Sequence, residues 1–177
     1  MEYTHVTHTF GPVFDADSEV LILGAFPSVK SRENRFYYGH PQNRFWKLLA
    51  GIYGGGVPAA IEDKKSFLLR NRIALWDVIA SCDIVGSSDS SIRNVTGNDM
   101  NVILEKARIR GIMANGGKAY QLFCRYCLRE GQPPLYKLPS TSPANAAWNL
   151  ERLTAAWRET LLADASGAAA KGEDACL

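Results

Sequence analysis

The sequence has few cysteines and no long apolar run, and both absences narrow the class of protein. Four cysteines in 177 residues are too few and too unevenly spaced for a disulfide framework. No run of about 18 or more apolar residues suggests a membrane-spanning helix, and the N-terminal MEYTHVTH lacks the charged-then-apolar order of a signal peptide. We therefore expect a soluble, cytoplasmic protein without a membrane partner.

Several signatures of cofactor and metal sites are also missing. The sequence contains no GxxxxGK[ST], and no GxGxxG follows its first apolar strand. Cys124 and Cys127 have CxxC spacing, but they lie inside a helical pattern without a second ligand pair at metal-site spacing. No Ser, His, Asp order suggests a hydrolase triad. We expect neither a metal nor a cofactor.

Positive charge is unevenly distributed, although the net charge is only +2. Residues 1–23 carry four acids and no Lys or Arg, whereas residues 29–47 carry five basic residues against Glu33 alone. A second basic stretch spans residues 106–129, where a solvated helix face is the simpler interpretation. Basic segments with interleaved aromatics favour a polyanion partner, nucleic acid before membrane.

Short apolar runs alternate with helical patterns along the chain. The predicted strands are 19–26, 73–80, 111–114 and 135–138, and the predicted helices are 43–53, 61–72, 99–107, 117–129 and 145–163. This order predicts a three-layer α/β/α sandwich around a four-stranded, mostly parallel sheet. We expect one domain over residues 1–163 and a disordered tail over residues 164–177.

Two loops leave the carboxyl ends of predicted strands, where ligands bind in this architecture. The first contains FYYGHPQNRFW (36–46), in which an amide, an imidazole and aromatic rings are suited to a nucleobase edge and face. Phe45 and Trp46 match the helical apolar spacing and are expected in the core. The second, PSTSPAN (139–145), offers hydroxyls for phosphate oxygens, unless Ser142 or Asn145 merely caps the next helix.

With both loops considered, the sequence resembles the uracil-DNA glycosylase superfamily, and most closely its hypoxanthine-DNA glycosylase family. The resemblance is carried by LILGAFPSVKSRE (21–33), FYYGHPQNRFWK (36–47), ALWDVIASC (74–82) and LPSTSPANA (138–146). It implies a uracil-DNA glycosylase-like fold and a monomeric enzyme. That enzyme hydrolyses the N-glycosidic bond of a deaminated base in double-stranded DNA, without a metal, cofactor or lyase step.

The resemblance also implies roles for individual residues. In mismatch-specific relatives the first loop reads GINPG, and its Asn positions the attacking water. The corresponding segment of this sequence is GAFPS, which places Phe26 at that position, against the base. The HPxN asparagine that is proposed to serve catalysis in the hypoxanthine family matches Asn43, which either donates to the base or holds the attacking water. The ring that stacks on the flipped base matches Tyr38. His40 either supplies a proton or hydrogen bond to the purine or fixes its loop.

The remaining implied contacts involve the base and the DNA backbone. Ser140 stands where relatives stabilise the departing base. The implied DNA contacts are Ser28, Lys30, Arg32, Ser142, Pro143, Ala144 and Asn145. One of Pro143, Ala144 and Asn145 is expected to fill the gap that the flipped base leaves in the stack. Three alternatives stay open: a uracil-DNA glycosylase, a damage-binding module without cleavage, and a free-nucleoside hydrolase.

Overall fold

The computed structural model describes residues 2–165, which form two β-sheets with helices packed against them. The strands are β1 (Thr4–Thr7), β2 (Val20–Gly24), β3 (Ile73–Asp77), β4 (Ile79–Ile84), β5 (Arg93–Gly97), β6 (Gly111–Asn115) and β7 (Leu135–Leu138). The helices are α1 (Val29–Asn34), α2 (Phe45–Tyr53), α3 (Ile61–Arg70), α4 (Asn101–Leu104), α5 (Gly117–Tyr126) and α6 (Leu150–Ala165), with a 3-10 turn at Asp89–Ser91. Within this part of the chain, no helix has both the length and the apolar character needed to cross a bilayer.

Four parallel strands build the larger sheet in the order β3-β2-β6-β7. β2 pairs in parallel with β3 on one side and with β6 on the other. Every residue of β2 and β3 is buried, which requires cover on both faces of the sheet because successive side chains point in opposite directions. The predicted α/β fold around a four-stranded parallel sheet is therefore confirmed.

Helix α6 covers part of this sheet and also holds the segment that follows β7. It packs against β2, β7 and α2. Its Trp157 is fully buried, with its ring edge-on to Phe45 of α2 at a centroid distance of 6.2 Å. The indole Nε1 donates to the carbonyl of Pro139 at 2.9 Å. One side chain therefore connects the core to the second loop.

A second, antiparallel sheet in the order β1-β4-β5 is absent from the sequence prediction. The apolar run at residues 73–80, predicted as one strand, is divided at Val78 into β3 and β4. The sequence remains apolar across this point, so it does not reveal that the chain passes from the parallel sheet into the antiparallel one. The β5 sequence RNVTG has one large apolar residue and no alternating pattern, so its pairing with β4 has no sequence signal.

Two helices differ most from their predicted bounds, and one further helix was not predicted. The final helix begins at Leu150 instead of Asn145, because residues 141–149 form turns and the Asn149 side chain caps the helix by accepting from Arg152 N at 2.8 Å. The helix predicted from Asp99 to Ala107 is reduced to the four residues of α4. The short helix α1 has no apolar pattern that predicts it. Of the predicted disordered tail, residues 166–177 lie outside the described residues.

Replacing Trp157 with alanine is expected to destabilise the protein by about 3–5 kcal/mol, because it leaves a cavity between α6, α2 and the sheet. Urea unfolding measures the change. The matched control is Leu162→Ala, which truncates an exposed side chain of the same helix and should stay within about 0.5 kcal/mol of the parent. Equal effects of the two substitutions would contradict this packing.

Candidate active site

A pocket of about 400 Å³ opens at the carboxyl ends of the parallel strands. Its lining includes Gly24, Asp77 and Asn115, which end β2, β3 and β6, and the segment 140–144 after β7. The chain runs from β2 to β3 on one side of the sheet and later to β6 on the other, which makes this a topological switch point. The two loops selected from the sequence meet across this pocket.

Most of the predicted site residues are brought together here. The pocket lining contains Phe26, Ser28, Tyr38, His40, Asn43, Ser140, Ser142, Pro143 and Ala144. The lining does not include Lys30, Arg32 or Asn145. Lys30 is exposed, and its Nζ lies 3.8 Å from Glu33 Oε2. The Arg32 guanidinium donates to the carbonyl of Gly86 at 2.6 Å. The Asn145 amide donates to the carbonyl of Ser140 at 3.0 Å and so braces its own loop.

The Asn43 side chain is held by a polar network that joins both loops. Its Oδ1 accepts from Phe45 N at 3.0 Å and from the Thr141 hydroxyl at 2.9 Å. Thr141 is fully buried, and its Oγ1 and N bond in turn to the Asn115 amide, each at 3.0 Å. Asn43 lines the pocket, and because its oxygen already accepts two hydrogen bonds, its NH2 group is the part left to contact a ligand. Thr141 is too deeply buried for the phosphate contact suggested by its sequence.

Arg44 fastens the second loop to the start of α2. Its guanidinium donates to the carbonyls of Ser142, at 2.7 Å, Asn145, at 3.1 Å, and Trp148. Its backbone N and its Nε both donate to the carbonyl of Thr141. These bonds satisfy carbonyls in a segment without regular secondary structure. The guanidinium is therefore committed to holding the two loops together.

Short polar side chains shape the first loop and the rim. Ser28 caps α1 by accepting from Ser31 N at 3.2 Å, and Val29 N donates to Ser87 Oγ at 2.8 Å across the pocket edge. His40 is exposed and its Nδ1 accepts from Gln42 N at 3.1 Å. Nε2 is consequently the nitrogen of His40 that can donate a hydrogen bond.

Ser140 packs against Gly116, the residue between β6 and α5. A Cβ on Gly116 would be 3.0 Å from Ser140 Cβ, and Gly116 has the left-handed φ of 95° that favours glycine. Ser140 Oγ accepts from Ser142 N at 3.1 Å, and Ser142 Oγ accepts from Ala144 N at 3.2 Å. Pro143 and Ala144 project from this turn and are exposed.

The floor of the pocket carries a buried carboxylate that sequence reasoning did not select. Asp77 Oδ2 accepts from His8 Nε2 at 2.8 Å, and both side chains are less than 5% exposed. A Cβ on Gly24 would lie 2.5 Å from Asp77 Oδ1 and 2.9 Å from Tyr38 Oη, so these two oxygens are neighbours. Burial raises the pKa of Tyr38 well above its ordinary value, and the charge of Asp77 raises it further.

Two of the three residues that the sequence prediction missed share one signal. Asp77 and Asn115 are polar residues that directly end buried apolar runs, at the carboxyl ends where a parallel sheet binds ligands. His8 has no such signal, because its partner lies 69 residues away. Among residues 2–165, no cluster of three or more His, Cys, Asp or Glu side chains is arranged to hold a metal ion.

Comparisons with known proteins agree on the family. The family model of the uracil DNA glycosylase superfamily matches residues 12–163. A hypoxanthine DNA glycosylase of Methanosarcina acetivorans is 37% identical over 147 residues, which cover 81% of this chain and 90% of that protein. One of Methanosarcina barkeri is 35% identical over 112 residues, covering 62% and 71% respectively. A candidate uracil DNA glycosylase of Methanosarcina acetivorans, solved by NMR in solution, superposes with a TM-score of 0.69 at 36% identity, covering 85% of this chain and 95% of that one.

Replacing Gly24 with alanine is expected to distort the pocket floor, since the new Cβ would overlap Asp77 and crowd Tyr38. Overpacking of this kind costs about 1–3 kcal/mol, which thermal or urea unfolding would detect. Gly11→Ala is the control because a Cβ there meets nothing within 4 Å. A Gly24→Ala variant as stable as Gly11→Ala would show that the floor is less tightly packed than described.

Proposed function

The chain belongs to the uracil DNA glycosylase superfamily, and from this premise we propose that it removes hypoxanthine from deoxyinosine in double-stranded DNA. As a DNA glycosylase it hydrolyses an N-glycosidic bond and leaves an abasic site. The preference for hypoxanthine is supported by the names of two relatives and by the resemblance, which implies Phe26 where mismatch-specific relatives hold a water-positioning Asn. We propose that it acts as a monomer.

The observation that carries this proposal is the fixed orientation of Asn43. Two hydrogen bonds hold its oxygen, so the amide presents N–H donors to the pocket. When the glycosidic bond breaks, the sugar becomes oxocarbenium-like and the departing base gains negative charge. A preorganised donor aimed at this charge contributes typically about 3–4 kcal/mol to the transition state. Asn43 therefore acts as a donor to the leaving base.

The other proposed roles follow from position around the pocket. Phe26, Tyr38 and Ser140 surround the extruded base, and His40 contributes a hydrogen bond from Nε2 at the rim. Ser28, Lys30, Arg32 and Ser142 are proposed to contact the DNA backbone, which offsets the few kcal/mol that base extrusion costs. Exposed Pro143 and Ala144, braced by Asn145, are proposed to fill the gap in the base stack.

Excess protein incubated with duplexes that carry one deoxyinosine, deoxyuridine or deoxyadenosine should create alkali-labile abasic sites mainly at deoxyinosine. The assay needs no added metal or nucleotide. Cleavage mainly at deoxyuridine would replace hypoxanthine by uracil as the substrate. Tight binding without any cleavage would instead favour a module that senses damage.

Asn43→Ala is expected to lower the single-turnover excision rate by about a hundredfold or more, because one preorganised donor is lost. Asn101→Ala, which removes an exposed amide on α4, is the matched control and should keep the parent rate. An Asn43→Ala rate within about twofold of the parent, roughly 0.4 kcal/mol, would rule out the catalytic assignment.

A further inference from the structure

The hydroxyl of Tyr38 is buried and makes no hydrogen bond of regular geometry among residues 2–165, although the Asn115 amide is near enough to lower its pKa slightly against the effect of burial. An unpartnered buried hydroxyl costs about 1–3 kcal/mol, and native proteins retain few of them. Tyr38 also has a left-handed φ of 53°, a backbone conformation that residues other than glycine seldom adopt. Two unfavourable features at one pocket residue suggest a functional requirement.

The ring of Tyr38 is fixed, so the position of the hydroxyl is determined. One ring face stacks on Phe45 at a centroid distance of 4.0 Å with 26° between the planes. The oxygen extends over Gly24 at the floor of the pocket, where a Cβ would be 2.9 Å away. The raised pKa described above keeps this hydroxyl protonated, so it can donate a hydrogen bond at physiological pH.

Beside this donor lies an acceptor of complementary character. Asp77 Oδ1 is its neighbour over Gly24, while Asp77 Oδ2 is held by His8 at 2.8 Å. The floor therefore offers an O–H donor next to a carboxylate acceptor. Hypoxanthine presents the matching lactam edge, an O6 acceptor beside an N1–H donor. Adenine presents an amino donor beside an N1 acceptor, which reverses both contacts.

We propose that the Tyr38 hydroxyl, paired with Asp77 Oδ1, recognises the lactam edge of the deaminated base and excludes adenine. This inference rests on the proposed function, and it assigns specificity to the oxygen of Tyr38 instead of its stacking face. Selection by a buried polar group is effective because a base with the wrong edge leaves both groups unpaired. The same edge is shared by uracil, through O4 and N3–H.

Tyr38→Phe separates the two roles, since it keeps the ring and removes only the oxygen. We expect single-turnover excision of hypoxanthine to fall at least about tenfold, the range for a hydrogen bond in a charged environment. The matched control is Tyr53→Phe on α2, outside the pocket. Tyr38→Phe excision within twofold of the parent would overturn the inference.

Binding to uncleavable duplexes tests the specificity claim directly. A 2′-fluoroarabinosyl sugar keeps the glycosidic bond intact, and the base is either hypoxanthine or unsubstituted purine, which lacks O6. Tyr38→Phe should weaken binding of the hypoxanthine duplex at least about fivefold and leave the purine duplex unchanged. Equal weakening for both duplexes would indicate a structural role for the residue and overturn the inference.

Thermal unfolding of the free Tyr38→Phe protein tests independently whether the hydroxyl lacks a partner. Removal of an unpartnered buried hydroxyl should leave the Tm of the free protein unchanged or raise it. A clear fall in Tm would mean that the oxygen already has a partner, which contradicts the inference. Parent protein that leaves deoxyinosine intact would overturn the proposed function itself. The Tyr38→Phe comparison on deoxyuridine would then decide the role of the hydroxyl separately.

Discussion

The attachment of Arg44 to the second loop is the contact on which the pocket depends. Residues 139–149 contain no regular hydrogen-bonded ladder, so their carbonyls need partners from elsewhere in the protein. The guanidinium and the backbone amide of Arg44 donate to four of these carbonyls, those of Thr141, Ser142, Asn145 and Trp148. Because Arg44 directly follows Asn43, the same two residues join the loops and present the amide that we propose to be catalytic. Loop position and amide position are therefore not independent.

The polar network beneath Asn43 explains how an amide can act as an electrostatic group. An isolated asparagine can rotate its amide and offer either oxygen or nitrogen. Here Thr141 and Phe45 N occupy the oxygen, and Asn115 fixes Thr141 from below. Each member of the network is bonded, as a buried polar group requires. The orientation is established before the substrate arrives, so little reorganisation remains for the reaction step.

The sequence predicted the parallel sheet and the pocket better than the second sheet and the pocket floor. Strands such as 111–114 are apolar throughout because both of their faces are buried, and this pattern is visible without a structure. β5 is half exposed and polar, so only its pairing with β4 defines it. The loops were recognisable by composition. His8 was not, because its role comes from a contact with Asp77, which lies 69 residues away. The roles assigned to Asn43, His40 and the DNA-contacting residues remain predictions.

The contact between His8 and Asp77 ties the beginning of the chain to the floor of the pocket. The family match starts at residue 12, so His8 and the whole of β1 lie before it. A protein trimmed to the shared family region would keep the parallel sheet and both loops. It would also keep the buried Asp77 side chain without the hydrogen bond from His8, and a buried polar group that loses its partner costs about 1–3 kcal/mol. His8 therefore supports the floor of the pocket from outside the region that the family model matches.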